Sequence, residues 1–509
     1  MKKIKKTKYL LLFLVIFSCA DPSLDEQVFS NLSPSNFYNN AADGDAAVTA
    51  IYNALNRTIS LWDFGLSSTV GASHPYFTSR VGWRIEWADY TTSSGNGLSL
   101  PRSWNPLYQG IFRANVAISE LSTRTFEGDE ENTRIQLIAE AQWLRAWCYF
   151  HLTQLFGNVP MPLEAAVSVE TAKLAATPRE AIYAQIIADL EAAEANLPII
   201  RTVPNEIGRP NVGTAKFLLA KVYLTMAGAQ VNDASKMALA HSKIKEVIDN
   251  ASTYGYELLP SYADAIYIDN NSERVWGIQQ TQAVEGQGTA GTFVWAGIGS
   301  PNGGVPRGQG HGGWTQEFYD LYEDTDTRRD VTMQYSYIHS TTGEETFFSG
   351  EPVENYGGDP YQATWGIPNN KYRDSDQGCC DGDPDIVYYR YSDALLMYAE
   401  AENSLNGPTA TAYEYINMVR ARAGASQLIP GSHTQEEFAE LMFTERLLEF
   451  TFEMQELYDV RRLGKVQEVI EKAPLPVANG TVYRPDFEVW PIPNTEINAN
   501  PNLEQNPGW

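Results

Sequence analysis

Residues 143–160 read WLRAWCYFHLTQLFGNVP, and their pattern decides the fold. Leu137, Ala141, Leu144, Cys148, Leu152 and Leu155 recur across 133–157 at the spacing that lines up one face of an α-helix. Cys148 falls on that packed face as a small core residue, and Trp104, Trp143 and Trp147 lie on helical patterns that place them in the core as well. Working outward, residues 211–228 carry Ala215, Leu218, Leu219, Val222 and Met226 at the same spacing. Comparable stretches fall at 45–57, 104–121, 178–196, 234–250, 386–406, 409–423, 435–456 and 458–472. Several form pairs: 133–157 with 178–196, 211–228 with 234–250, 386–406 with 409–423, and 435–456 with 458–472. Thr177-Pro178 with Glu180 opens one of these helices and Pro198 follows its end. Helix pairs with alanine-rich contact faces predict a mainly α, solenoid-like stack in which each pair buries its apolar stripe on the next. The length alone suggests several domains, but the periodicity predicts one interleaved body over 19–509.

Two stretches break the helical period. Residues 60–103 and 255–385 are rich in Gly, aromatic and small polar residues, with short β-like runs such as Val275-Trp276-Gly277-Ile278. Long irregular insertions on a rigid scaffold are where binding sites usually sit. Their aromatics suggest the ligand, because a pyranose ring offers an apolar C–H face edged by hydroxyls and needs a flat ring beside polar side chains. WRIEWADY (83–90) supplies that mixture through Trp83, Arg84, Trp87 and Asp89. The second insertion adds Trp295, Trp314, Tyr361 and Trp365. One stacked face contributes ~2 kcal/mol before ordering costs, so two or three give roughly micromolar to millimolar affinity. The bland alternative for each ring is a plug for the scaffold.

The chain closes with WPIPNTEINANPNLEQNPGW (490–509). Between the two quoted segments come YYRYSDALLMYAEAEN (388–403), INMVRARAG (416–424) and ERLLEFTFEMQELYDVRRLGK (445–465). These five segments, in this order, resemble the signatures of the SusD/RagB family, the lipoprotein half of outer-membrane nutrient importers. The resemblance implies a tetratricopeptide scaffold, a surface glycan-binding protein without enzymatic activity, and delivery of oligosaccharides to a SusC-like TonB-dependent transporter for which the protein acts as a lid. It also implies that loops from both insertions meet the ligand. Glu445, Arg446, Glu449, Asp459, Arg461 and Arg462 belong to the signature, with a structural role as ion pairs between the last helices. Specificity does not carry over with the family, and the RagB branch implies peptide capture as the alternative.

The first residues agree with this. Five lysines precede an apolar run from Tyr9 to Phe17, too short to span a bilayer, and Ser18-Cys19 closes it. Residues 1–18 read as a signal peptide, and Cys19 resembles the acylated residue of a lipobox, giving stable anchoring in the outer membrane. Loss of those five lysines takes the formal charge from −26 to −31, against which nucleic acid and most polyanionic glycans are repelled. A neutral polysaccharide such as a β-glucan is the expected ligand. Cys379 and Cys380 are adjacent, and a vicinal disulfide between them competes with two free thiols. Asp374, Asp376, Asp381, Asp383 and Asp385 offer the oxygens that Ca²⁺ takes, without an EF-hand's spacing, so a solvated acidic turn is the favoured reading.

Enzymatic motifs are missing from the sequence. The six histidines share no metal-ligand spacing, and there is no G-x-S-x-G elbow or Walker loop. GQGHGG (308–313) follows Gly304 and Pro306 where a buried strand is required, and reads as a flexible loop. Glu400 and Glu402 lie ~200° apart on a helix and cannot share a site, which leaves a secreted glycoside hydrolase without a carboxylate pair to support it.

Overall fold

A computed structural model describes residues 37–60, 74–79, 86–97, 99–165, 168–203, 206–281, 312–338, 344–348, 366–372 and 384–509. Its scaffold is a run of helices: α1 (Ala41–Ser60), α2 (Ser99–Ser122), α3 (Glu130–Phe156), α4 (Arg179–Asn196), α5 (Val212–Ala227) and α6 (Lys236–Asp249). After the second insertion come α7 (Tyr391–Asn406), α8 (Ala410–Ala423), α9 (Gln435–Phe450), α10 (Glu456–Arg462) and α11 (Val466–Lys472). Each helix from α1 to α8 packs on the next, and α6 packs on α7 across the insertion. This is the tetratricopeptide-like arrangement that the paired periodicity and the family resemblance predict.

Local chemistry sets the helix ends. The Asn211 and Thr409 side chains accept hydrogen bonds from the amides of Thr214 and Ala412 at the starts of α5 and α8, and Thr434 with Glu437 forms a capping box at α9. Gly424, in the left-handed conformation at φ 79°, ends α8. The predicted pairs α3–α4, α5–α6 and α7–α8 form, but the predicted pairing of 435–456 with 458–472 does not: the second member is broken into α10 and α11, and α9 packs chiefly on α7. A fourth pair, α1 with α2, is split in sequence by the first insertion.

Three expected boundaries are corrected. Residues 386–390 (IVYYR) are a strand and not the first turn of a helix, as a β-branched and aromatic run buried on both faces favours. The stretch read as a helix over 435–456 stops at Phe450, where Phe452 and Met454 take positive φ. Gly464, at φ 67°, separates α10 from α11.

The strands are short antiparallel pairs. β1 (Phe77–Ser79) pairs with β3 (Gly312–Trp314), β2 (Arg274–Ile278) with β6 (Ile386–Arg390), and β4 (Ser336–Ile338) with β5 (Glu345–Phe347). The β2–β6 pair clasps the root of the second insertion. Beneath it Trp276 meets Trp143 at 4.9 Å and Trp147 at 5.2 Å between ring centroids, so the tryptophans of α3 form the floor. Trp104, Cys148 and the named apolar residues of α3 and α5 are buried, as their spacing predicts.

Candidate functional site

The quoted signatures converge in space. The Trp490 amide donates to Leu155 O at 2.7 Å, Arg461 Nη1 donates to Gln154 O at 2.8 Å, and the His151 ring bonds the Tyr458 hydroxyl at 2.6 Å. Around this junction a network of charges is shut off from solvent. Arg390 reaches Glu273, Glu449 and Glu453 at 2.7, 2.7 and 2.8 Å, and Arg328 reaches Asp326 and Glu445 at 2.7 and 2.6 Å. Lys371 joins Glu453 at 2.7 Å, and Arg422 closes the ring on Glu273 and Glu449. A second set links Arg446 to Asp393 and Asp459, with Lys221 on Asp393 and Arg462 on Asp459 and Glu400. Burial pushes the Glu449 carboxyl up, but Arg422, Arg390 and Arg328 outweigh it and hold it well below the usual carboxylate range. These are the structural ion pairs expected of the signature for Glu445, Arg446, Glu449, Asp459 and Arg462; Arg461, expected among them, instead donates to backbone carbonyls. Because Glu273, Asp326, Arg328 and Lys371 come from the second insertion, the network also anchors that insertion to α9.

On this anchored base the two insertions are joined. Phe77 lies opposite Trp314 and Ser79 opposite Gly312. On the other side of β3, the Trp314 amide donates to Ile367 O at 3.0 Å and the Ile367 amide returns to Trp314 O at 2.7 Å. Gly312 and Gly313, expected in a flexible loop, are therefore ladder residues. A Cβ on Gly313 would collide with the Ile367 carbonyl, so only glycine admits the Trp314–Ile367 bridge. Five further residues are expected to contact the ligand: Trp83, Arg84, Trp295, Tyr361 and Trp365. Those five residues, like Cys19, Cys379, Cys380, Asp374, Asp376, Asp381 and Asp383, lie outside the described residues.

The three predicted ligand residues that are described have other surroundings, and their reading as sugar contacts is corrected. Trp87 is 1% exposed and meets Trp490 at 4.3 Å. Trp314 is 0% exposed, with Phe452 edge-on at 5.8 Å and Phe318 at 6.1 Å. Neither ring has a face left for a sugar. Asp89, also buried, accepts from the Thr91 amide and hydroxyl at 3.0 and 2.6 Å and from Asn479 Nδ2 at 2.8 Å. These residues hold the base of the insertions. His74 belongs to the same base: burial pushes its pKa down to about 3, so a neutral ring packs edge-on against Phe318 at 4.4 Å.

An aromatic group that the tryptophan-centred reading missed lies beside the ladder. Tyr319 and Tyr335 stack at 4.3 Å and 21°, Arg329 covers Tyr319 at 4.7 Å, and Phe347 meets Tyr335 at 5.7 Å. Phe347 is 58% exposed. The Gln334 backbone amide donates to Pro368 O at 2.9 Å, which ties this stack to the bridged segment that follows Gly366. A count of tyrosines in the second insertion beside its tryptophans would have flagged it. Asp385 pairs with Arg274 at 2.6 Å, which removes it from any calcium site. Among the described residues no cluster of His, Cys, Asp or Glu has a metal-holding arrangement, and no helix is long and apolar enough to cross a membrane.

Comparison with known proteins agrees with this architecture. The SusD family model matches residues 253–509, and a model described as "Starch-binding associating with outer membrane" matches 29–224. SusD-like protein P2 of Formosa agariphila is 28% identical over 545 residues, covering 100% of both chains. A solved structure of a laminarin binding SusD-like protein superposes with a TM-score of 0.75 at 25% identity, covering 93% of this chain and 100% of that one. A SusD homologue from Bacteroides thetaiotaomicron gives 0.77 at 23% identity over 94% and 98%, and so speaks for the fold. With one family model spanning the C-terminal half, a second covering most of the remainder, and the signature segments meeting in one core, this chain belongs to the SusD/RagB family.

Proposed function

We propose that this protein captures a neutral glycan, a β-glucan of the laminarin type, at the outer-membrane surface and passes it to a SusC-like TonB-dependent transporter for which it serves as lid. The observation that carries this reading is the β1–β3 ladder, which joins the two insertions over a buried aromatic base, with the root of the second insertion tied to α9 by buried charges. In this reading Trp83, Arg84, Trp295, Tyr361 and Trp365 contact the sugar, and the Tyr335–Phe347 edge extends the platform. Trp87, Asp89 and Trp314 position it from below. The strongly negative chain repels polyanions and is indifferent to a neutral polymer. Anchoring through Cys19 after removal of residues 1–18 belongs to the same proposal, as does a single body over 19–509. A non-catalytic role follows the family.

The test is calorimetric titration of residues 20–509 with laminarin, mannan, xylan and chitin oligosaccharides, anionic polysaccharides and mixed peptides, alongside Trp83→Ala and Phe347→Ala. Laminarin binding weakened about tenfold or more by each substitution supports the assignment, as expected if each ring contributes ~2 kcal/mol. Binding to peptides alone would replace it with the RagB-like role.

A further inference from the structure

A second feature lies away from the ladder. A groove of about 540 Å³ opens between α2, the segment after α3 and the C-terminal tail. Along α2, Trp104, Tyr108 and Phe112 follow one another every fourth residue, a step of ~6 Å along one face. Asn105 and Gln109 form a parallel row beside them and also line the groove. Trp104 is buried as the floor, in tilted contact with Tyr108 at 4.8 Å, and the Tyr108 hydroxyl is fixed by donating to Pro160 O at 2.7 Å. Phe112 is 50% exposed. The amides of Asn105 and Gln109 are exposed and make no hydrogen bond to the described residues.

We infer that this groove is a second carbohydrate subsite, for a neutral oligosaccharide, distinct from the ladder region. The inference rests on the glycan-capture reading above. Three observations favour a sugar over a macromolecular partner. The volume falls within the ~300–1,000 Å³ of small-ligand sites, and the sixteen lining residues fall short of the roughly 20–30 that a stable protein interface takes from each side. A primary amide carries a donor and an acceptor together, the pairing that adjacent sugar hydroxyls require, and here two are unspent beside an aromatic row. The charged rim, Lys173 against Glu164 and Glu496, is net negative and disfavours acidic sugars. Ring contacts of 5.0 Å (Trp104–Phe156), 5.9 Å (Phe156–Trp490) and 4.3 Å (Trp490–Trp87) link the groove to the core under the first insertion. A long glycan held at both places gains by effective concentration, which a short one does not.

The experiment uses residues 20–509, laminarihexaose and laminarin, with two readouts: binding stoichiometry, and hydroxyl-radical footprinting at Phe112 and Tyr108 by mass spectrometry. The variants are Phe112→Ala and the double substitution Asn105→Ala with Gln109→Ala, all at exposed positions, and Trp83→Ala for the other region. Expected are two hexaose equivalents in the parent and one in either groove variant, hexaose-dependent protection of Phe112, and a loss of laminarin affinity of about tenfold or more in the groove variants. One equivalent in the parent, lost on Trp83→Ala, with Phe112 unprotected overturns the second subsite and leaves the ladder site standing. Protection of Phe112 that survives Trp83→Ala, with that substitution without effect on stoichiometry, supports the groove and overturns the ladder site. Absence of binding to any neutral glycan in the panel overturns both.

Discussion

The C-terminal helices and the two insertions are both anchored in the interior by groups unusual for their setting, and the groups differ in kind. Around α9 and α10 the interior is ionic: Arg390, Arg328, Glu449 and Glu453 are at most 1% exposed and satisfy one another. Beneath the β1–β3 ladder it is aromatic: Trp314, Phe318 and a neutral His74 pack against one another. A buried ion network tolerates few alternative arrangements, because every member needs its partners at one geometry, whereas an aromatic cluster adapts by sliding rings. The scaffold is thereby set in a single register, while the insertions retain a base over which surface rings can differ between relatives.

The sharpest way to break this contrast is Arg390→Met. It leaves Glu273, Glu449 and Glu453 short of a buried cation, and a loss of about 3–5 kcal/mol is expected in urea unfolding. Trp314→Ala should cost less globally, since the cavity of ~3–5 kcal/mol opens in a region able to unfold by itself. Its signature is faster hydrogen exchange at the Trp314, Thr315 and Ile367 amides with α9 unchanged, and equal acceleration in both regions would erase the distinction.

The smallest effect concerns pH. Arg422, Arg390 and Arg328 keep Glu449 depressed against the pull of burial, and Arg446, Arg462 and Lys221 do the same for Asp459, so their stabilisation is present above the ordinary values of 4.5 and 3.8 and is lost as pH falls. Glu456 has the opposite sign. Burial lifts it to about 7, outweighing the Glu456 and Phe452 amides, so its contribution is complete below 4.5 and is lost as pH rises through about 7. The urea midpoint should peak in the weakly acidic range, and Glu456→Gln should flatten the decline between about pH 4.5 and 7. A decline that persists in that variant assigns it elsewhere.

The scaffold was legible because helical periodicity is repeated and redundant: a miscounted end at 386 or 456 leaves the pairing of α7 with α8 intact. The ionic role of Glu445, Arg446, Glu449, Asp459 and Arg462 was legible from the signature, whereas Arg461 donates to the Gln154 and Leu155 carbonyls instead of pairing with a carboxylate; Glu400 and Glu402 do face different partners, Arg462 and His241. What composition conveyed about the insertions was that aromatics gather there. Whether a given ring is plug or platform depends on partners far away in sequence, Trp490 for Trp87 and Phe452 for Trp314, and no local pattern encodes them. The α1–α2 pair escaped notice for a related reason, since the insertion between its members hides their adjacency.

The three-residue ladder carries a kinetic consequence. Phe77 and Trp314 are about 240 residues apart, and nearly all of the scaffold up to α6 lies between them. Closing so long a loop for so few hydrogen bonds is unfavourable until the intervening helices have already shortened the distance. The ladder should therefore zip up last during maturation, making ligand capture a late event and a direct readout that everything beneath it has finished folding.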